Sequence, residues 1–215
     1  MKRTIVFCLL FYSMFVSAQD SIVVNLKGKW FFGGEVGKNT IRSYELGESA
    51  NSFQAGLLAE YYFSKHWSVV GRIKYFKIGA SFNTNDFIIF PNKTRYNFGR
   101  FNGESITIPV NLKWEFAIYK NFRGYLKLGS GISIETKSEY SDYTPEITEN
   151  FKSYYLNFNL GYGLTYFVNK DSALYLDAEV FAGGSKGKQD GLFIFGDGSK
   201  VLVNEMINLG YKRIF

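Results

Sequence analysis

Few side chains in this sequence have the type and spacing that enzyme chemistry requires. His66 is the only histidine and Cys8 is the only cysteine. A serine–histidine pair for acyl transfer would have to use His66, which lies in a short polar segment beside Trp67. A metal site built from histidine and cysteine would need further ligands of those types. His66 is therefore interpreted as a polar turn residue, and no catalytic residue, metal or cofactor is predicted.

Asp177 and Glu179 are a pair of acids whose spacing points to a joint role. Residues two apart on a β-strand share a face, so the two carboxylates could act together in acid–base catalysis. The alternative is a set of ion pairs with basic side chains such as Arg72 and Lys127. Ion pairing is the favoured interpretation, because a buried charge without a partner is costly.

The first 18 residues have the pattern of a secretory signal peptide. Two basic residues precede an almost purely apolar run over residues 5–16, and Ser17 and Ala18 are small residues of the kind that precede a cleavage site. An uncleaved membrane anchor is the alternative, but the run is short for the roughly 20 residues of a spanning helix. We therefore expect residues 1–18 to be a signal peptide and residues 19–215 to be one mature domain without cysteine.

The composition indicates an exported, all-β chain. Aromatic residues make up 19% of the sequence, which has 22 glycines and only 3 prolines, and no apolar run after the signal region is long enough for a membrane helix. The formal charge is +6 and falls to +4 without Lys2 and Arg3. In an exported protein this mild basic excess is better explained by contact with anionic lipid head groups than by nucleic acid, which is not expected as a partner.

Apolar and polar residues alternate with period two along most of the chain, which is the pattern of β-strands. Over residues 105–118 the even-numbered positions are apolar, whereas the odd-numbered positions include Thr107, Asn111 and Lys113. A helix would scatter these two sets around its axis. Eight such segments are predicted at roughly residues 28–37, 52–63, 67–78, 104–118, 123–135, 153–167, 173–184 and 201–215.

The connections between these segments alternate in length. Those at residues 64–66, 119–122 and 168–172 are short, and those at residues 38–51, 79–103, 136–152 and 185–200 are long. Short periplasmic turns and long outer loops alternate in this way in outer-membrane barrels. The pattern predicts a closed antiparallel up-and-down transmembrane β-barrel of about eight strands, with both termini periplasmic. The last strand should pair with the first, because unpaired backbone groups are not tolerated in lipid.

One face of these strands is nearly free of charge, and the other carries balanced charges. In a membrane barrel the apolar face meets lipid and the polar face lines the interior, which in eight strands is just wide enough to be filled by side chains. We therefore expect Val110→Arg to impair insertion more than Asn111→Arg. The residues predicted to form an interior charge network are Lys29, Glu35, Glu60, Arg72, Lys74, Lys113, Glu115, Lys127, Glu135, Asp177, Glu179 and Lys212.

Aromatic residues of the apolar face are concentrated toward the strand ends predicted to be periplasmic. All three tryptophans lie at these ends, as expected where amphipathic rings meet the membrane interface. The residues predicted to form this periplasmic aromatic girdle are Trp30, Phe63, Trp67, Trp114, Phe116, Tyr166, Tyr211 and Phe215.

Several segments resemble those of a known protein family. Residues 208–215 alternate and end in an aromatic residue, which resembles the insertion signal read by the barrel assembly machinery, although Arg213 departs from that pattern. Residues 56–68 and 108–113 resemble strands of the small bacterial outer-membrane β-barrel family, of the OmpA/OmpX-like or porin-family type. The resemblance covers most of the mature chain. It implies the barrel fold and contact with outer-membrane lipid and the assembly machinery, and it leaves the function open.

The expected role is structural or surface-binding, through the outer loops and an unidentified extracellular partner. A narrow channel for small solutes or ions is the first alternative, and a soluble ligand-binding barrel is another. An outer-membrane lipid-modifying enzyme is disfavoured, because such enzymes act near the outer rim and His66 is expected at the opposite end. The apolar loop motifs at residues 87–90 and 192–195 could bind a partner, extend strands or pack on one another.

Overall fold

The computed structural model describes residues 25–42, 49–89, 94–141, 154–183, 194–195 and 203–215. The predicted signal peptide, residues 1–18, lies outside the described residues. Within the described part of the chain, no helix is both long and apolar enough to cross a membrane.

Eight long antiparallel strands form a closed barrel. Each pairs with its neighbours in chain order, and the last pairs with the first, from Phe31 opposite Ile214 to Arg42 opposite Val203. The predicted up-and-down topology and its closure are confirmed. The strands are β1 (Trp30–Arg42), β2 (Ser49–Tyr62), β3 (Trp67–Ile89), β4 (Thr94–Tyr119), β5 (Phe122–Ser141), β6 (Tyr154–Phe167), β7 (Ser172–Gly183) and β9 (Val203–Ile214), with a two-residue strand β8 (Ile194–Phe195) outside the closed ring.

The two faces of each strand differ as the alternation predicts. On β6 the outward side chains from Tyr154 to Tyr166 are exposed on the barrel surface, whereas Asn157 and Asn159 are buried inside. The same division holds on β4, where Val110 points outward and Lys113 inward. The barrel therefore presents a band of aliphatic and aromatic side chains outside and encloses its polar side chains.

Three neighbouring strands are much longer than the others. β3, β4 and β5 have 23, 26 and 20 residues, against 12 to 14 in the remaining barrel strands. Most of the long connection predicted at residues 79–103 is strand, because β3 and β4 continue to pair as far as Ile89 and Thr94. This segment lacks the apolar face that marks the membrane strands, so its sequence resembles a loop although its backbone forms a hairpin.

The lumen is closed by apolar side chains at the end that carries the short turns. Lys29 donates a backbone hydrogen bond to the Leu26 carbonyl over 3.0 Å, and Gly28 has a φ of 78°, as a type II turn requires at its third residue. This turn brings Leu26 under the barrel, where it is 1% exposed. Leu26 packs there with Phe31, Tyr62, Phe167 and Ala173. We refer to these five residues as the apolar plug, which the alternation of the strands did not predict.

Candidate functional site

The structure places eleven of the twelve predicted interior charges inside the barrel. Each of the eleven is at most 5% exposed. Lys29 is the exception and corrects the prediction: it precedes β1, belongs to the turn at the short-turn end and is exposed. The buried eleven are Glu35, Glu60, Arg72, Lys74, Lys113, Glu115, Lys127, Glu135, Asp177, Glu179 and Lys212.

Six of these charges form a cluster that spans the middle of the lumen. Arg72 projects from β3 and reaches Asp177 on β7 over 2.8 Å and Glu179 over 3.2 Å. β3 and β7 are four strands apart in a ring of eight, so these ion pairs cross the full width of the barrel. We name this set the central ion cluster, which comprises Glu35, Arg72, Lys74, Lys127, Asp177 and Glu179.

The central ion cluster is balanced, with three cations and three carboxylates. Lys74 pairs with Glu35 over 2.7 Å and also with Glu179. Lys127 pairs with Glu179 over 2.6 Å and also with Asp177. A buried carboxylate or ammonium group is costly unless it is paired and hydrogen-bonded, and each of the six charges has an oppositely charged partner within the cluster.

A second cluster lies closer to the apolar plug. Glu60 accepts from Lys113 over 2.9 Å and from Lys212 over 2.7 Å, and Lys113 also pairs with Glu115 over 2.7 Å. The Tyr62 hydroxyl donates to Glu115 over 2.7 Å. We name Glu60, Lys113, Glu115 and Lys212 the basal ion cluster. It again joins strands from different sides of the ring, namely β2, β4 and β9.

Aromatic rings complete the surroundings of the buried lysines. The Lys212 ammonium group lies 5.1 Å from the ring centre of Phe31 and 5.2 Å from that of Tyr62. Lys113 lies 4.3 Å from the ring centre of Tyr125. Contacts of an ammonium group with a ring face are favourable, and more so away from water. The rings therefore occupy lumen space that water would otherwise fill while stabilising the cations.

Two side chains that contact these clusters, Arg123 and Tyr175, were not among the interior residues predicted from the sequence. Arg123 contributes a guanidinium Nε 3.8 Å from Glu115, and Tyr175 donates its hydroxyl to Glu35 over 2.9 Å. Both residues have the odd-numbered parity of the interior positions on their strands, Lys127 and Asp177. That parity is the sequence signal that places both side chains in the interior.

The part of the lumen nearest the long loops is polar but mostly uncharged. Asn39 donates to Asn204 over 3.2 Å, and Asn157 donates to Ser133 over 2.8 Å. The Asn39 and Asn157 amides lie above the ion pairs and continue the filling of the interior. Closer to the middle of the barrel, Asn111 bonds with Asn159.

Two inner glycines make room for the tyrosines of the lumen. Gly210 lies opposite Tyr175 in the β7–β9 register, and Gly163 lies opposite Tyr125 in the β5–β6 register. A methyl group at Gly163 would lie 2.5 Å from the Tyr125 ring carbon Cζ, and one at Gly210 would overlap the Tyr175 ring. Glycine on one strand therefore allows a large side chain of the next strand to lie flat across it.

The residues considered for catalysis occupy ordinary structural positions. His66 lies in the turn between β2 and β3, and its Nδ1 is 3.0 Å from the carbonyl oxygen of Glu115. Asp177 and Glu179 share the inner face of β7, where both pair with cations of the central ion cluster. Among the described residues, no group of three or more His, Cys, Asp or Glu side chains is arranged to hold a metal ion.

The aromatic residues predicted for the girdle gather at the short-turn end. Trp67 and Trp114 are partners in the β3–β4 register. Trp30 contacts Tyr61 with a ring separation of 4.8 Å, and Phe32 contacts Phe215 at 5.5 Å. The structure places the predicted set at this end with side chains exposed or partly exposed on the outer surface: Trp30, Phe63, Trp67, Trp114, Phe116, Tyr166, Tyr211 and Phe215.

Comparison with known families decides what kind of barrel this is. Residues 17–183, more than half of the chain, match the family model described as "Outer membrane protein beta-barrel domain". The chain belongs to this family. Its apolar outer band is accordingly the lipid-contacting surface of an outer-membrane barrel, and the resemblance seen in the sequence is confirmed.

One solved structure shows the same fold for this outer-membrane barrel, and two others are similar at lower scores. Neisserial surface protein A (NspA) is 12% identical, with a TM-score of 0.56 over 86% of this chain and 97% of that chain. OprG from Pseudomonas aeruginosa is 15% identical, with a TM-score of 0.49 over 89% and 98%. Ail of Yersinia pestis, solved with the heparin analogue sucrose octasulfate, is 14% identical, with a TM-score of 0.46 over 86% and 99%. At these identities the similarity to NspA shows the fold alone. No curated protein matches the chain.

Proposed function

We propose that this outer-membrane barrel is a non-conducting structural or surface-binding protein that acts through its long-loop end. The observation that carries the proposal is the filled lumen. Arg72 on β3 reaches Asp177 directly across the barrel, and the apolar plug covers the interior below the basal ion cluster. Because the lumen is filled, a partner must bind to the outer surface of the barrel or to the extended strands.

The long-loop end offers a surface that the rest of the barrel lacks. A bilayer is crossed by roughly 9–11 residues of a tilted strand, whereas β4 has 26 residues. The three-stranded sheet of β3, β4 and β5 therefore extends well past the rim. Such extensions display backbone and side chains to partners outside the membrane.

The proposed orientation places the short turns and both chain ends in the periplasm. Aromatic side chains such as Trp30 and Trp114 lie at the short-turn end, where we assign them to the periplasmic girdle. Residues 1–18 are assigned to a cleaved signal peptide. The outward alternation of Leu209 and Tyr211 near the C-terminus supports recognition by the barrel assembly machinery during insertion.

Thiol labelling in intact cells tests the orientation. With Cys8 replaced by alanine, Thr94→Cys, at the first residue of β4, is expected to react with a membrane-impermeant maleimide. Asn169→Cys, in an exposed short turn, is the matched control and should react only after the outer membrane is permeabilised. If Asn169→Cys but not Thr94→Cys is labelled in intact cells, the orientation is the opposite of the one proposed, and the extended strands do not face the cell exterior.

Planar-bilayer recording tests the closed lumen. The purified, folded barrel is expected to produce no unitary conductance steps above those of protein-free bilayers, because the two ion clusters and the apolar plug fill the lumen. An open porin reconstituted in the same way serves as the positive control. Reproducible steps from the parent chain would favour the narrow channel instead.

A further inference from the structure

The two apolar motifs of the long-loop end meet in the structure. β8 pairs antiparallel with the upper part of β3, with Phe195 opposite Phe87 and Ile194 opposite Ile88. These residues belong to the motifs at 87–90 and 192–195, which are separated by more than a hundred positions in the chain. The pairing uses backbone hydrogen bonds, so it is more specific than contact between apolar loops.

The barrel topology makes this pairing unusual. In sequence β8 lies between β7 and β9, which are neighbours in the ring. β3 lies four strands from β7, on the opposite wall. Proximity along the ring therefore does not explain why β8 joins β3. A preference of the β3 edge for an added strand would explain this pairing.

The edge of β3 that receives β8 has lost its barrel neighbour. β2 and β3 pair only as far as Gln54 and Phe76. At the next position the Lys77 carbonyl accepts from the Ser52 hydroxyl over 2.5 Å and from the Asn39 amide over 3.4 Å. Beyond Lys77, in the described part of β3, strand pairing on this side is confined to β8. Such an edge is a template for strand addition.

We propose that this outer edge of β3 is a strand-addition site, and that in the isolated protein its occupant is the chain's own segment around Ile194–Phe195. The added strand satisfies edge backbone groups and keeps other extended chains from pairing there. The proposal deepens the surface role and rests on it, because the edge meets extracellular chains only if the long-loop end faces outward.

Disulfide trapping tests the occupant. In the full chain with Cys8→Ala, folded in detergent, Ile88→Cys with Ile194→Cys is expected to form an intramolecular disulfide under mild oxidation, because directly opposed residues share a face. Ile88→Cys with Phe195→Cys is the matched control. A shift of one residue places the two thiols on opposite faces, so this pair should stay reduced. Equal cross-linking of both pairs, or of neither, would overturn the proposal.

A peptide probe tests the site itself. Ile194→Pro removes a backbone donor from β8 and should release it. A fluorescent synthetic peptide of residues 190–199 is then expected to bind the Ile194→Pro chain, with raised anisotropy, and to leave the parent chain unbound. Absence of binding to the variant would refute strand addition at this edge. Both experiments use detergent-folded protein, so their failure would leave the orientation tested by thiol labelling untouched.

Discussion

Glu179→Gln is expected to lower the free energy of unfolding by roughly 3–5 kcal/mol, the cost of breaking a buried ion pair by removing one partner. Glu179 accepts from Arg72 over 3.2 Å and from Lys127 over 2.6 Å, and it also pairs with Lys74. Glutamine nearly preserves the shape of the side chain and removes its charge. The central ion cluster then has three cations and only two carboxylates, in a site closed to water. Denaturant titration of the barrel folded in lipid vesicles measures the loss.

A surface pair gives the matched control for Glu179→Gln. Glu139 and Lys137 form an ion pair of 2.8 Å at the long-loop end, with side chains 59% and 53% exposed. Exposed pairs contribute little and are screened by salt. Glu139→Gln is therefore expected to leave the unfolding transition nearly unchanged, although it removes the same charge by the same substitution.

A compensating substitution separates charge from packing. Lys74→Met removes one cation at similar side-chain length, so the double variant Glu179→Gln/Lys74→Met has two charges of each sign in the central ion cluster. If charge imbalance causes the loss, the double variant should be more stable than the sum of the single losses predicts, as a double-mutant cycle would show. Additive losses would mean that Glu179 and Lys74 stabilise the barrel independently of each other and that charge imbalance is not the cause.

The alternation of residue types was enough to predict the part of the fold that crosses the membrane. Each crossing strand must place apolar side chains in lipid and polar ones in the lumen, so the period of two is enforced at every position, as at Val110 and Lys113. Closure followed from the need to pair every backbone group in hydrocarbon. The assignment of eleven charges to the interior rested on the same parity.

The features that the sequence did not predict lie where lipid no longer constrains the pattern. The upper parts of β3 and β4 pair as a hairpin without a continuous apolar face, so their strand character was not visible. Lys29 has the parity of an interior residue but precedes β1, because the turn at Gly28 ends the alternation. Leu26 enters the apolar plug through that same turn. Such contacts depend on where the chain bends, which periodicity does not report.

Val110→Arg is expected to cost roughly 2–4 kcal/mol, as for a charge at the middle of the lipid-facing band. Val110 is 54% exposed on the outer surface of β4, four residues from Trp114 toward the long loops. An arginine there must leave its guanidinium in hydrocarbon or distort the bilayer to reach water. Folding yield into vesicles and the unfolding free energy should both fall.

The structure also changes the control for Val110→Arg. Asn111 is 1% exposed and bonds with Asn159 inside the filled lumen, so Asn111→Arg would fail through overpacking, contrary to the expectation from the sequence. Ile118→Arg is the better control, because Ile118 is 56% exposed on the same strand near the short-turn interface. Arginine costs only about 0–1 kcal/mol at that depth. Because both variants replace an outward aliphatic residue with the same cation, the difference between them depends on depth in the membrane. Equal stability of the two would mean that the band around Val110 is not surrounded by lipid.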